Sequence, residues 1–175
     1  VSLPGVANNF TIELAPLEYM PHTVNLFLQQ ISQKLYDGCS FHRNAGHVVQ
    51  GGPVTSFRNK GSNPRKLFRE SGLVSVSFQE YHPSYPHEKY TLGLAGRPGG
   101  PDFYVSTVNN TRNHGPGGQT GYEVKSEADP CFAKVIKGFD TIDRMLKMPV
   151  KPGAYKAMEE NVGITYARLV QTVKL

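Results

Sequence analysis

At 175 residues the chain is the size of one domain, so a single core spanning residues 1–175 is expected. Hydrophobic residues make up 38% and no apolar run approaches the roughly 18 residues of a membrane helix, which excludes such a span and membrane contact by this segment. The formal charge of +5 favours acidic or neutral partners.

In chain order, "NNFTIEL" alternates Phe10, Ile12 and Leu14 against polar neighbours, the period of a half-buried strand. In "MPHTVNLFLQQISQKLYDG", Val24, Phe27, Leu28, Ile31 and Leu35 recur at helical spacing between Pro21 and Gly38, predicting an amphipathic helix. "CSFHR" and "HVVQ" read as short extended pieces. Arg58, Lys60, Arg65, Lys66 and Arg69 crowd one Gly/Asn/Pro-containing stretch and read as a solvated basic loop. Nucleic-acid binding would need aromatic residues interleaved with these cations, and only Phe57 and Phe68 flank them. "LVSVSF" (73–78), "YTLGLAG", "DFYVST" and "CFAKVI" follow as predicted strands, and Asp140 is placed to cap a helix "TIDRMLKM". "GITYARLVQTV" closes the chain as a strand. Seven or eight short strands with two helices and Gly-rich turns favour a closed antiparallel barrel over a doubly wound parallel sheet.

Cys39 and Cys131 have no CxxC or Cys/His ligand spacing, which argues against structural zinc and leaves a free buried pair or one disulfide. The sequons at Asn9 and Asn109, with that disulfide, tilt the expected location slightly toward the secretory lumen over the cytoplasm. The chain opens at Val1 with no signal-like apolar segment, as a processed or trimmed chain would.

Several chemistries are absent. "AGRPGGP" and "NHGPGGQ" lack the spacing of a phosphate cradle, and no GxSxG supplies a serine nucleophile. His42 and His47 have no carboxylate at metal-ligand spacing, so no metal is expected. There remains "FHRNAGHVVQGG" (41–52), which sets Arg43 and two histidines beside a Gln-Gly-Gly turn without a nucleophile.

"SFHR" followed by "VVQGG", then "DFYVST" and "CFAKVIKGFDTIDRM", resemble in order and near-matching spacing the signature segments of the cyclophilins, the peptidyl-prolyl cis-trans isomerases. "YMPHTVNLF" is similar to that family's first helix and "GITYARLVQ" to its last strand, so the similarity runs over roughly residues 9 to 173. The resemblance implies an eight-stranded antiparallel β-barrel capped by two α-helices, with only "VSLPGVA" at the place of the first strand. It implies a prolyl isomerase acting on proline-containing segments of proteins, monomeric and without metal or organic cofactor.

By the same resemblance Arg43 matches the catalytic arginine and Gln50 the partner that holds its guanidinium and the substrate backbone. Phe103 and Tyr104 match consecutive aromatic positions, one in the core and one lining the proline pocket, and Val48 matches a further apolar wall. The departures are equally specific. The Arg43–Gln50 segment is one residue short, and His47 falls where a phenylalanine lines the pocket. Asp102 replaces a glutamine, Gly96 an asparagine that binds substrate backbone, and Asp129 the pocket histidine, for which His114 in an enlarged loop is a possible substitute. The chain has no tryptophan, so weak cyclosporin binding is expected. Low or altered activity, a non-catalytic proline-peptide binder, and an interaction scaffold using the 109–129 loop are the alternatives these departures leave open.

Overall fold

Pro21, with no backbone N–H to leave unpaired, opens helix α1 (Pro21–Ser32), which buries Val24, Phe27 and Ile31 along one face. That face rests on a sheet of seven short strands. They are β1 (Thr11–Leu14), β2 (Ser40–Asn44), β3 (Val48–Gly52), β4 (Thr91–Leu94), β5 (Phe103–Ser106), β6 (Cys131–Lys137) and β7 (Ala157–Gly163). All pair antiparallel in the order β1-β6-β4-β5-β3-β2-β7. Helices α2 (Pro64–Ser71), α3 (Thr111–His114) and α4 (Phe139–Leu146) complete the fold. This computed structural model describes residues 8–56, 61, 63–119 and 127–170.

Strand alternation gives the central sheet two unlike faces. On the inner face Phe41, Gly51, Phe103 and Leu94 stand opposite one another across β2, β3, β5 and β4. A Cβ on Gly51 would lie 3.1 Å from Phe103 and 3.2 Å from Phe41, so its absence lets those rings meet edge-to-face at 5.5 Å. Phe27 of α1 covers this row, 6.4 Å from Phe103 and 4.8 Å from Phe132.

The sheet is strongly curled. Phe10, at the start of β1, and Phe41 of β2 lie five strand steps apart in the ladder, which in a flat sheet is about 24 Å at roughly 4.8 Å per step. Their ring centroids are 6.2 Å apart.

Several sequence expectations need correction. The described residues hold seven strands, within the seven or eight counted from the sequence, and four helices where two were expected; "VSLPGVA", at the place of the family's first strand, lies outside them. Residues 73–78 alternate but join no ladder; instead Val76 is buried and its N–H donates to the Gly99 carbonyl at 3.3 Å. The last described strand runs over 157–163, ending where the final strand was expected to begin; beyond it Ile164 still exchanges backbone hydrogen bonds with Cys39 and Gly38, both at 2.8 Å. Part of the basic stretch is helical: Asn63 caps α2 by accepting from Lys66 N–H, and Gly72 ends it at φ 72. Asp140 sits in the first turn of α4, where Gly138 occupies the cap position.

Of the two readings left open for the cysteines, the structure has the free buried pair. Cys39 and Cys131 are free and buried, and β2 and β6 are not neighbours in the ladder. Burial pushes both thiols up to about 12, so neither is a ready nucleophile. Alkylation of the native protein should therefore label neither cysteine, whereas alkylation after denaturation without reductant should add two labels by mass spectrometry. No labels after denaturation would reveal a bridge.

Candidate active site on the outer face of the sheet

The outer face carries a second cross-strand row. Arg43 of β2 is directly opposite Gln50 of β3, Gln50 is opposite Tyr104 of β5, and Tyr104 is opposite Gly93 of β4. Directly paired residues in an antiparallel sheet share a face, so four positions scattered through the sequence line up side by side. A bulge between Phe41 and Arg43, present in the ladders to both β3 and β7, shifts the register there and turns Arg43 outward. Tyr104 lies flat across Gly93, where a Cβ would collide with its hydroxyl.

Arg43 is held on two edges. Its Nη1 donates to Gln50 Oε1 at 3.1 Å and its Nε to the Tyr155 carbonyl at 2.9 Å. The Tyr155 ring also lies 5.5 Å from the guanidinium carbon. The remaining N–H groups have no recorded partner among the described residues.

Beyond Tyr104 the row meets a buried carboxylate. Asp129 is 2% exposed, and its Oδ1 accepts from Arg97 Nε at 2.9 Å. Its Oδ2 lies 3.0 Å from the Tyr104 hydroxyl and 2.6 Å from His114 Nδ1. The Gln119 amide rests against both His114 Nδ1, at 2.8 Å, and Asp129 Oδ2, at 3.3 Å. Behind them His87 Nε2 donates to the Asp129 carbonyl at 2.8 Å. Burial drives Asp129 toward the neutral acid, but the hydrogen bonds from His114, Arg97 and Tyr104 outweigh it and hold the carboxyl below its ordinary value.

Arg43, Gln50, Tyr104, Asp129, His114 and Gln119 border a cleft of about 260 Å³. Of the residues expected at a site, Arg43, His47, Val48, Gln50, Gly96, Tyr104 and Asp129 border it, and so does His114. His47 stacks on His114 with centroids 5.6 Å apart, and the His47 carbonyl is pinned by Thr107 N–H and Asn110 Nδ2. Burial, with smaller contributions from His114 and Arg43, lowers the His47 pKa, so the ring is neutral at pH 7.

Of the aromatic pair expected to divide between core and pocket, Phe103 takes the core and Tyr104 the cleft, whereas Asp102 does not reach the cleft. Phe103 faces the core, one strand position out of phase with Tyr104. Asp102 precedes β5 and folds over Gly52, where a Cβ would clash with its carboxylate, toward His42 Nε2 at 3.7 Å and Arg65 at 4.0 Å. Sequence reading missed Tyr155, Arg97 and His87. Tyr155 follows a Pro-Gly turn and Arg97 follows Gly96, so each had a local turn signal, but their partners are remote in sequence. No cluster of three or more His, Cys, Asp or Glu among the described residues is arranged to hold a metal ion, and no helix there is long and apolar enough to cross a membrane.

Residues 3–169 match the family described as cyclophilin type peptidyl-prolyl cis-trans isomerase/CLD. The chain belongs to the cyclophilin family. It is 27% identical over 144 residues to mouse peptidyl-prolyl cis-trans isomerase-like 3, covering 82% of this chain and 80% of the relative. The chicken protein of the same name is 28% identical over 163 residues, covering 91% and 89%. A Cryptosporidium parvum cyclophilin type isomerase superposes with a TM-score of 0.63 at 16% identity, over 90% of this chain and 88% of that one. The same protein in the presence of the dipeptide Ala-Pro gives 0.61 at 17%, over 88% of each chain. At that identity the likeness concerns the fold.

In this cyclophilin the buried His87 has a direct thermodynamic consequence. Burial lowers its pKa to about 4, below the unfolded value of about 6.5. The unfolded chain therefore binds the extra proton first, and stability present above pH 6.5 is lost as pH falls toward 4, by on the order of 3 kcal/mol. The thermal midpoint should drop over that window. His87→Gln, which retains an N–H for the Asp129 carbonyl, should remove part of the drop; an unchanged slope would show that His87 takes no part in it.

Proposed function

We propose that this cyclophilin is a peptidyl-prolyl cis-trans isomerase that twists X-Pro bonds of peptides or exposed protein segments at the Arg43 cleft. The observation that carries this reading is the fixed guanidinium: Gln50 and Tyr155 hold two of its edges while Arg43 itself borders the cleft. Amide resonance sets a barrier of about 18–20 kcal/mol to rotation, and no covalent bond need break to cross it. A preorganised N–H donor that pairs with the prolyl nitrogen as it pyramidalises, or with the carbonyl oxygen as the bond twists, favours the resonance-broken state over the planar one. The absence of a serine or thiol nucleophile from the cleft lining is compatible with that chemistry.

In this reading Gln50 orients Arg43, and Val48, His47 and Tyr104 form the walls against which a pyrrolidine ring rests. Gly96 offers no side chain to the substrate backbone. Asp129 acts indirectly, by fixing Tyr104 and His114, and the absence of tryptophan and the polar His47 wall make cyclosporin a weak ligand. The curl that brings Phe10 to Phe41 supports closure of the sheet into the family barrel. The polar lining contributed by His47, His114 and Asp129 favours a second reading, in which the cleft grips peptides without turning them over.

The two readings separate on one variant. Arg43→Ala should lower isomerase turnover by about two to three decades with the fold intact, some 3–4 kcal/mol of transition-state stabilisation. Arg43→Lys should recover little, because a point charge cannot engage Gln50 and the Tyr155 carbonyl with one planar fork. Equal rates for wild type and Arg43→Ala would refute catalysis by Arg43 and leave the binding reading.

His47 supplies a second test. Its pKa is lowered in the fold, so the neutral ring persists to below the ordinary value of about 6.5, and only then does a cation appear facing Arg43. Peptide affinity should thus hold near pH 7 and weaken as pH falls toward 5. His47→Phe should tighten binding of a proline peptide and flatten that profile in calorimetric titrations; identical profiles would place His47 outside the binding surface.

A further inference from the structure

His114 combines a fixed edge with an unmet one. Its side chain is 8% exposed, its Nδ1 lies 2.6 Å from the Asp129 carboxylate, and its Nε2 is buried with no hydrogen-bond partner among the described residues. Because Asp129 is ionised at neutral pH, the ring proton belongs on Nδ1, and in the neutral ring Nε2 presents a lone pair on the edge away from Asp129. His114 also borders the cleft with Arg43, His47, Tyr104 and Asn113. With His47 stacked on it at 5.6 Å, Tyr104 tilted against it at 4.7 Å and Nδ1 tied to Asp129, the ring has little freedom to turn its nitrogen elsewhere.

A buried acceptor without a partner is unfavourable, and a ligand that seals it further from water without pairing with it gains nothing back. An unmodified pyrrolidine presents only C–H groups to the wall of its pocket. A hydroxyl, by contrast, can donate to the neutral imidazole and accept from the charged one. We propose that the cleft of this chain prefers a hydroxyl-bearing proline ring over proline itself, the ring hydroxyl pairing with Nε2 of His114. The inference rests on the proline-peptide reading of the cleft and adds to it a substrate class that His114 selects. His47, half-buried, stacks on the same imidazole and borders the same cleft.

The test is a calorimetric titration at pH 7.5 with three peptides of one sequence, carrying proline, trans-4-hydroxyproline or trans-4-fluoroproline at the central position. The hydroxylated peptide should bind about five- to tenfold tighter than the proline peptide, the gain of one net hydrogen bond. The fluorinated peptide shares the electronegative substituent but has no proton to donate, and it should bind like proline. Binding of the hydroxylated peptide should also move the ¹⁵N resonance of His114 Nε2, and His114→Phe should erase the preference. Equal affinity for the proline and hydroxyproline peptides, or fluorinated and hydroxylated peptides binding equally tightly, overturns the inference and leaves peptide binding standing. Failure of all three to bind removes the proline-peptide reading as well.

Discussion

A carboxylate with almost no access to water governs the floor of this cleft. An isolated buried charge would cost several kcal/mol, so Asp129 is tolerable only while its donors stay in place. Those donors come from separate parts of the chain: Arg97 follows β4, Tyr104 stands in β5 and His114 ends α3. His87, ahead of β4, is tied to the same residue through its backbone carbonyl. Each of these groups also positions something else. Tyr104 is thereby laid across Gly93 as a wall, and His114 is turned so that one nitrogen is committed and the other is not.

The cleft and the core are two sides of one sheet. The inner row of Phe41, Gly51, Phe103 and Leu94 and the outer row of Arg43, Gln50, Tyr104 and Gly93 are adjacent registers of the same strands. A slip of one residue in any of these pairings would exchange the rows, sending an arginine and a glutamine toward the core and phenylalanines to the cleft. Burial of the aromatic row therefore fixes the alignment of the polar one. The guanidinium is not placed by its own contacts alone; the phenylalanines behind it set where it emerges.

This coupling explains how much could be read in the sequence. Arg43, Gln50, Val48 and Tyr104 were legible because they sit on strands with period-2 patterning, at spacings that a cyclophilin resemblance anchors. Asp102 was misplaced because it precedes β5, where alternation no longer dictates direction and the open space over Gly52 draws the carboxylate away. Residues 73–78 have the alternation of a strand but lack a partner, and alternation reports burial of one side rather than a ladder. Helix α2 was hidden by its charges, although its Asn63 cap, Pro64 and Gly72 stop signal were all present. The Asp129 network was beyond reach because its members lie up to dozens of residues apart, and only the folded sheet brings them together.

Arg97 holds one more arrangement together. Besides Asp129, its guanidinium donates through Nη1 to the carbonyls of both Gly118 and Glu127, at 3.2 and 2.9 Å. Gly118 and Glu127, nine positions apart in the chain, are therefore fastened to the same side chain that pairs with Asp129. Loss of this one side chain would release Gly118, Glu127 and the Asp129 carboxylate together.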